Sequence, residues 1–255
     1  MARSTRILFV AGEVAPFTEI TEISGLTRAL PEALQEEGDY DARLMMPRYG
    51  TISERKHKLH EVIRLSGTPV PMGDEDDEVT VKVASIPDTR VQVYFMDHEE
   101  YFGRDAVYRN NDGDAFDDNP RRAAFFNRAV IQTVCKLRWG PEVIHAFGWI
   151  SGLVPLLLAS EFVDQEILED TKVVFTPDQL EDQAIITDDV AAALGLDVDD
   201  LPASLTDLAM RHADLVINPP SVEATDSASA FAEDEEDRGV QLAELYTQML
   251  SEVPA

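Results

Sequence analysis

His145 is the side chain whose type and position best fit ligand chemistry in this sequence. An imidazole can exchange a proton or a hydrogen bond near neutral pH. His145 lies near the carboxyl end of a short predicted strand, residues 143–146, where doubly wound sheets place their ligand crevice. Two interpretations of His145 stay open at this point, a functional histidine and a structural one with its hydrogen bonds satisfied.

Other signatures of catalytic, cofactor or metal sites are missing. Gly12 stands alone after the first predicted strand, so no glycine-rich dinucleotide loop follows it, and no Walker loop, HExxH or GxSxG occurs. None of the five histidines pairs with another at the helical spacing of metal ligands, and the aspartates of residues 112–118 do not follow the EF-hand pattern. The sequence therefore predicts no metal site and no bound cofactor.

The elements that must position these residues alternate between strands and helices. Short apolar runs predict buried strands at residues 6–11, 41–46, 143–146, 172–176 and 214–218. Amphipathic spacing predicts helices at residues 23–37, 119–137, 152–162, 188–194 and 201–212. In residues 79–85 and 90–95 apolar and polar residues alternate, which predicts two paired strands. The acidic residues 74–78 before them predict a solvated loop. We therefore expect an α/β fold, Rossmann-like and doubly wound, with a mostly parallel sheet.

The composition limits the classes of partner. In 255 residues, 49 acidic side chains stand against 21 Lys and Arg, a net charge of −28. Such a field repels phosphate, which argues against nucleic acid and anionic membranes as partners. No apolar run approaches the ~18 residues of a membrane helix, and we expect a cytoplasmic protein. Two explanations of the acid excess stay open: a high-salt cytoplasm, which screens self-repulsion, and a few acidic loops.

Several segments together resemble the bacterial glycogen and starch synthases, the ADP-glucose glucosyltransferases of glycosyltransferase family five. They occur in family order over about residues 5–220: residues 6–17, 29–34, 45–50, 100–108, 118–129, 141–158, 173–176 and 212–218. The resemblance implies two Rossmann-like domains around a cleft, the GT-B fold, of which this chain covers the amino-terminal half. We expect residues 5–220 to form that domain, 221–238 an acidic linker and 239–250 a carboxy-terminal helix.

The site segments depart from the family pattern. Where the family has a lysine and a Gly-Gly turn, this chain has Glu19 and, at the second glycine, Glu22. A lysine stabilises a departing diphosphate and a glutamate repels it, by roughly 4 kcal/mol per charge pair at about 4 Å and an effective dielectric near 20. The family's HAHDW retains His145 and Trp149 but has Phe147 and Gly148 in place of the second histidine and the aspartate.

A third site segment is also altered, since Asp178 and Gln179 replace a histidine and an asparagine of the family. What remains lies on the side that borders the acceptor glucan in the family: Tyr101, Asp118, Asn119, His145 and Trp149. Trp149 has two open interpretations, stacking on a glucose ring and packing a helix onto the sheet.

Two main functions follow from the resemblance and its departures. The first is a non-catalytic relative that binds an α-glucan or a protein partner. The second is an enzyme half that a separate carboxy-terminal chain completes, and a weaker third is a transferase of altered substrate. An uncovered cleft face would expose apolar surface, so we also expect association, as a homo-oligomer or a hetero-complex.

Overall fold

The computed structural model describes residues 4–73, 76–180, 185–187, 191, 195, 202–223 and 228–251. Within them, one ten-stranded sheet has the order β10-β9-β8-β7-β1-β2-β6-β5-β3, with β4 paired to β5. The strands are β1 Thr5–Ala11, β2 Tyr40–Pro47, β3 His60–Glu61, β4 Thr68–Pro71, β5 Asp76–Ser85, β6 Gln92–Asp97, β7 Val143–Phe147, β8 Lys172–Thr176, β9 Leu215–Asn218 and β10 Ser229–Ala230. Pairing is parallel from β10 to β6, and β3, β4 and β5 add an antiparallel edge.

Helices cover the sheet with their apolar faces. They are α1 Ile23–Glu37, α2 Glu54–His57, α3 Glu99–Phe102, α4 Asn119–Leu137, α5 Val154–Ala159, α6 Leu205–His212 and α7 Asp237–Ser251. Two 3₁₀ turns lie at Trp149–Ser151 and Glu166–Leu168. α1 buries Ile23, Leu26, Leu30 and Leu34, the helical spacing that the sequence shows. No helix of the described chain is long and apolar enough to cross a membrane.

The strand order reverses between β1 and β7. From β1 the chain proceeds through β2 to β6 on one side, and then returns to place β7 on the other side of β1. The predicted doubly wound, mostly parallel α/β fold is thereby confirmed. A crevice is expected outside the carboxyl ends of β1 and β7, because the connections from these strands leave in opposite directions.

Several predicted boundaries need correction. Residues 76–78 of the predicted acidic loop belong to β5, where Asp76 and Asp77 pair with β4 and their polar side chains suit an exposed edge. The predicted helix 152–162 is shorter in the structure: only Val154–Ala159 form α5, with Pro155 in its first turn, after the 3₁₀ turn at Trp149–Ser151. α6 starts at Leu205 rather than residue 201, because Ser204 caps it. The predicted helix 188–194 lies almost wholly outside the described residues.

The carboxy-terminal segment packs onto the domain. Within the predicted linker 221–238, Ser229–Ala230 pair with β9 and Phe231 is buried, because its ring stacks over that of His145. This part is therefore packed structure rather than a free linker. α7 buries Leu242 and Tyr246, and Gly239 lets it approach Ala33 of α1 closely.

Candidate functional site

Glu13 follows β1 directly and lies at the switch point of the sheet. Its side chain is only 2% exposed, and one carboxylate oxygen accepts the backbone N–H groups of Ile20 and Thr21 at 2.8 and 2.7 Å. Burial raises the pKa of Glu13, and these hydrogen bonds oppose the rise. The N–H groups that lead into α1 are thus occupied by the chain's own carboxylate, at a place where helix N-termini in such folds receive phosphate.

Asp178 follows β8 and reaches across to the end of β7. Its two oxygens accept the backbone N–H groups of Trp149 at 3.2 Å and Leu180 at 3.3 Å. Burial raises the pKa of Asp178 to about 6, the two N–H groups oppose the rise, and the negative charge of Glu13 adds to it. The buried carboxyl group of Glu13 and the partly exposed one of Asp178 therefore influence each other at the crevice.

Gly148 and Asp178 fit each other sterically. Gly148 has φ of +71°, a conformation that side chains rarely adopt, and a Cβ placed there would lie 2.5 Å from Asp178 Oδ2. The residue types at these two altered positions therefore depend on each other, because the carboxylate of Asp178 fills the space that a side chain at position 148 would need.

Three of the altered positions meet in one cavity of about 360 Å³. Glu22, Asp178 and Gln179 line it together with Thr21, Ile23, Pro219 and Ser221. Gln179 Nε2 donates to Ser221 Oγ at 2.8 Å, and Ser221 Oγ donates to the Glu22 carboxylate. This chain of hydrogen bonds joins the segments that precede α1 and follow β8 and β9. The structure thus brings together Glu22, Asp178 and Gln179.

Two other altered positions, Glu19 and Phe147, lie apart from this cavity. Glu19 is exposed on the segment before α1 and is not among the described lining residues. Phe147 is fully buried, and its ring stacks on those of His145 at 4.0 Å and Phe9 at 5.9 Å between centroids.

His145 is a satisfied core residue. Its Nδ1 lies 2.6 Å from Tyr246 Oη and its Nε2 lies 2.8 Å from Thr176 Oγ1, so both ring nitrogens have partners. The side chain is fully buried, and burial lowers the pKa of His145 well below its usual value. Of the two interpretations left open, the structure shows the structural one. The reason is that α7 covers the face of β7 on which His145 lies.

Trp149 packs rather than presenting a ring to solvent. It is 1% exposed and meets Tyr108 edge to face at 5.1 Å between ring centroids. No hydrogen-bond partner of its indole N–H occurs in the described part of the chain. A sugar has no access to this ring, so the packing interpretation is the one that the structure supports.

Tyr101, Asp118 and Asn119 form a network with α4 instead of an open glucan surface. The buried guanidinium of Arg122 donates to the Tyr101 carbonyl and to Asn119 Oδ1, each at 2.7 Å. Asn119 Nδ2 donates to the Tyr108 carbonyl, and Asp118 forms an ion pair with Arg104. Asp118 keeps a partly exposed carboxylate, and the pair with Arg104 lowers its pKa against the effect of burial.

Sequence reasoning missed Glu13 and Arg122. An acidic residue at the end of a buried strand is a signal that points to Glu13, and the spacing of Asn119 and Arg122 on one helical turn points to Arg122. Among the described residues, no group of three or more His, Cys, Asp or Glu side chains is arranged to hold a metal ion.

The doubly wound, mostly parallel sheet is the fold of the amino-terminal half of GT-B glycosyltransferases, as a solved structure shows. The catalytic domain of Starch Synthase IV from Arabidopsis thaliana, solved with ADP and acarbose, superposes with a TM-score of 0.73 over 96% of this chain and 50% of that one, at 16% identity. Residues 6–218 match the starch synthase catalytic domain family, and the chain belongs to that family.

Two curated glycogen synthases are similar in sequence. That of Pelodictyon phaeoclathratiforme is 34% identical over 232 residues, which cover 87% of this chain and 47% of the relative. That of Chlorobium limicola is 38% identical over 185 residues, which cover 72% of this chain and 38% of the relative. The chain thus spans about half or less of the length of these curated relatives.

Proposed function

We propose that this chain is a non-catalytic member of the starch synthase family that binds an α-glucan or a protein partner at its crevice. The observation that carries the proposal is the charge of the crevice. Its described charged lining residues, Glu22 and Asp178, are both acidic, and Glu13 behind them occupies backbone N–H groups that an anion would otherwise use. A diphosphate leaving group would meet repulsion there instead of stabilisation.

The same lining suits uncharged hydroxyl groups. Carboxylates accept hydrogen bonds from sugar hydroxyls, and Gln179 and Ser221 can donate and accept. A cavity of about 360 Å³ has room for one sugar ring at the end of a chain. An α-glucan is therefore chemically compatible with the cavity in a way that a nucleotide sugar is not.

Transfer and binding assays test this proposal directly. The purified chain is expected to incorporate no glucose from ADP-glucose into glycogen and to bind maltooligosaccharide, but not ADP-glucose, in calorimetric titrations at low and high salt. Gln179→Ala should weaken oligosaccharide binding, while Gln165→Ala, on an exposed residue outside the crevice, should not. Sustained glucose transfer by the chain alone would refute the proposal.

A second candidate is an enzyme half that a separate chain completes. It is favoured by one observation, the coverage of 47% or less of the related glycogen synthases. Mixing the chain with the carboxy-terminal half of the Chlorobium limicola glycogen synthase provides the test. Glucose transfer by the mixture, and by neither part alone, would favour this candidate over the first.

A further inference from the structure

A larger groove continues from the crevice over the carboxyl ends of β8 and β9. It encloses about 770 Å³, and it shares Asp178 and Gln179 with the smaller cavity. Its apolar lining comprises Pro177, Ile185, Ala203, Met210 and Val222. The two cavities therefore form one elongated depression, whose described walls come from the segments after β8 and β9, the segment before α1, and α6.

Two apolar side chains in this groove are more exposed than is usual for their type. Ile185 is 55% exposed and Met210 is 39% exposed, and both line the same cavity. Covering them would release water from apolar surface, at roughly 25 cal/mol per Å². Adjacent exposed apolar side chains in a groove mark a surface that gains from contact with a partner.

The charged residues of the groove are acidic throughout its described lining. Asp207 lies at one end, Asp178 in the middle and Glu22 at the other end, with no lysine or arginine among the described lining residues. Asp207 also occupies the start of α6, where Ser204 Oγ accepts its N–H at 3.1 Å and donates to its carboxylate at 2.8 Å. The carboxylate of Asp207 therefore already interacts with the N-terminus of α6, and a bound anion would gain little binding energy there.

We infer that this groove binds a protein segment in which lysine or arginine alternates with apolar side chains. The apolar residues would cover Ile185 and Met210, and the cations would pair with Asp207, Asp178 and Glu22. This inference rests on the protein-binding branch of the proposed function and names the chemistry of the partner. A second copy of this chain is disfavoured as the occupant, since it would bring another acidic surface of a −28 chain against the first.

Peptide binding provides the test. The probe is a short fluorescent peptide that alternates leucine with lysine, titrated by anisotropy at mildly alkaline pH, where Asp178 is ionised. Two matched peptides replace either the lysines by glutamate or the leucines by serine. The leucine–lysine peptide should bind most tightly, and added salt should weaken its binding without abolishing it, because the apolar contact is not screened.

Two double variants with the same loss of charge distinguish binding by the groove from attraction to the acidic surface in general. The double variant Glu22→Gln/Asp207→Asn should weaken binding about fivefold, as expected for two partly exposed ion pairs. The control Glu32→Gln/Glu36→Gln changes the net charge equally on exposed residues of α1 outside the groove lining and should leave affinity unchanged. Met210→Gln should weaken binding of the leucine–lysine peptide and leave binding of the serine–lysine peptide unchanged.

Equal weakening by both double variants, or tight binding of the glutamate peptide, would overturn the inference. If Glu22→Gln/Asp207→Asn fails to fold, Glu22→Gln alone, on an exposed side chain, serves in its place. Failure of peptide binding with maltooligosaccharide binding intact would remove this inference and leave the proposed function standing. Glucose transfer by the chain would remove the proposed function instead.

Discussion

Gly148 and Asp178 share a space that two side chains cannot both occupy, and this leads to the first prediction. Gly148→Ala forces a β-carbon into a backbone of φ +71° and to 2.5 Å from Asp178 Oδ2. The backbone strain costs about 1–3 kcal/mol, and overpacking adds about 1 kcal/mol or more. We expect denaturant unfolding to show a loss of about 2–4 kcal/mol in the free energy of unfolding.

A second glycine with positive φ separates the cost of backbone strain from the cost of the close contact with Asp178. Gly113 has φ of +90° with nothing within 4 Å of a built Cβ, so Gly113→Ala reports strain alone. Adding Asp178→Ala to Gly148→Ala should return the part of the loss that comes from the close contact. Equal losses at positions 148 and 113 would show that the carboxylate simply moves aside.

The carboxyl group of Asp178 makes stability depend on pH in a definite direction. Its folded-state pKa is about 6 against an ordinary 3.8, so between these values the folded protein binds more protons there than the unfolded chain. This contribution is most favourable below about pH 4 and decreases as pH rises, until the loss is complete above about pH 6. Asp178→Asn should remove this pH dependence, which changes the free energy of unfolding by about 2–3 kcal/mol at most.

The measurement is the difference in unfolding free energy between Asp178→Asn and the original chain over this pH range. Buried His145 contributes the opposite slope, because its lowered pKa makes stability decrease as pH falls below 6.5. The difference removes that contribution, which both proteins share. The single amide oxygen of the substituted side chain can accept only one of the two N–H groups, which adds an offset independent of pH. A difference that does not change with pH would contradict the prediction.

Sequence comparison identifies the altered site positions but not their environment. The resemblance singles out Glu22, Asp178 and Gln179, which do meet in one cavity. It also singles out His145 and Trp149, which are buried. Residue type and spacing are the same for a buried and an exposed histidine, and α7, which lies far along the chain from β7, decides between them.

At the scale of the element, a buried polar contact joins α7 to β7. Tyr246 Oη lies 2.6 Å from His145 Nδ1, and both side chains are fully buried. Tyr246→Phe removes the hydroxyl and leaves Nδ1 without a partner, which costs about 1–3 kcal/mol. We expect a lower unfolding free energy together with faster amide hydrogen exchange along α7.

Tyr40→Phe is the control for that prediction. The Tyr40 hydroxyl lies a long 3.5 Å from the Ala243 carbonyl of the same helix, and the residue is partly exposed, so its loss should cost under about 0.5 kcal/mol. If the two variants lose equal stability, the His145 contact does not hold the helix.

Elements with strong local patterns could be predicted closely, and those that depend on distant partners could not. α1 spans Ile23–Glu37 and β8 spans Lys172–Thr176, as their apolar spacing predicts. β10 has two residues and exists because β9 offers an unpaired edge, which no local pattern reveals. The start of α6 does carry a local signal, since Ser204 and Asp207 have the spacing of an N-cap and its partner.

At the scale of the whole molecule, the acid excess makes the folded state sensitive to salt. Some carboxylates form ion pairs, as Glu54 and Asp97 do with Lys82, but the chain as a whole carries a net charge of −28. Folding compresses these like charges, and raising the salt from about 0.1 M to 1 M shortens the Debye length from ~10 Å to ~3 Å. Screening therefore relieves more repulsion in the compact state than in the expanded one.

The expected result is a midpoint of thermal unfolding that rises steeply with KCl up to about 1 M and then levels, because little repulsion remains to be screened. Glycerol at matched osmolality changes hydration but screens no charge, so it should raise the midpoint much less. A midpoint that stays constant between about 0.1 M and 1 M KCl would contradict this prediction.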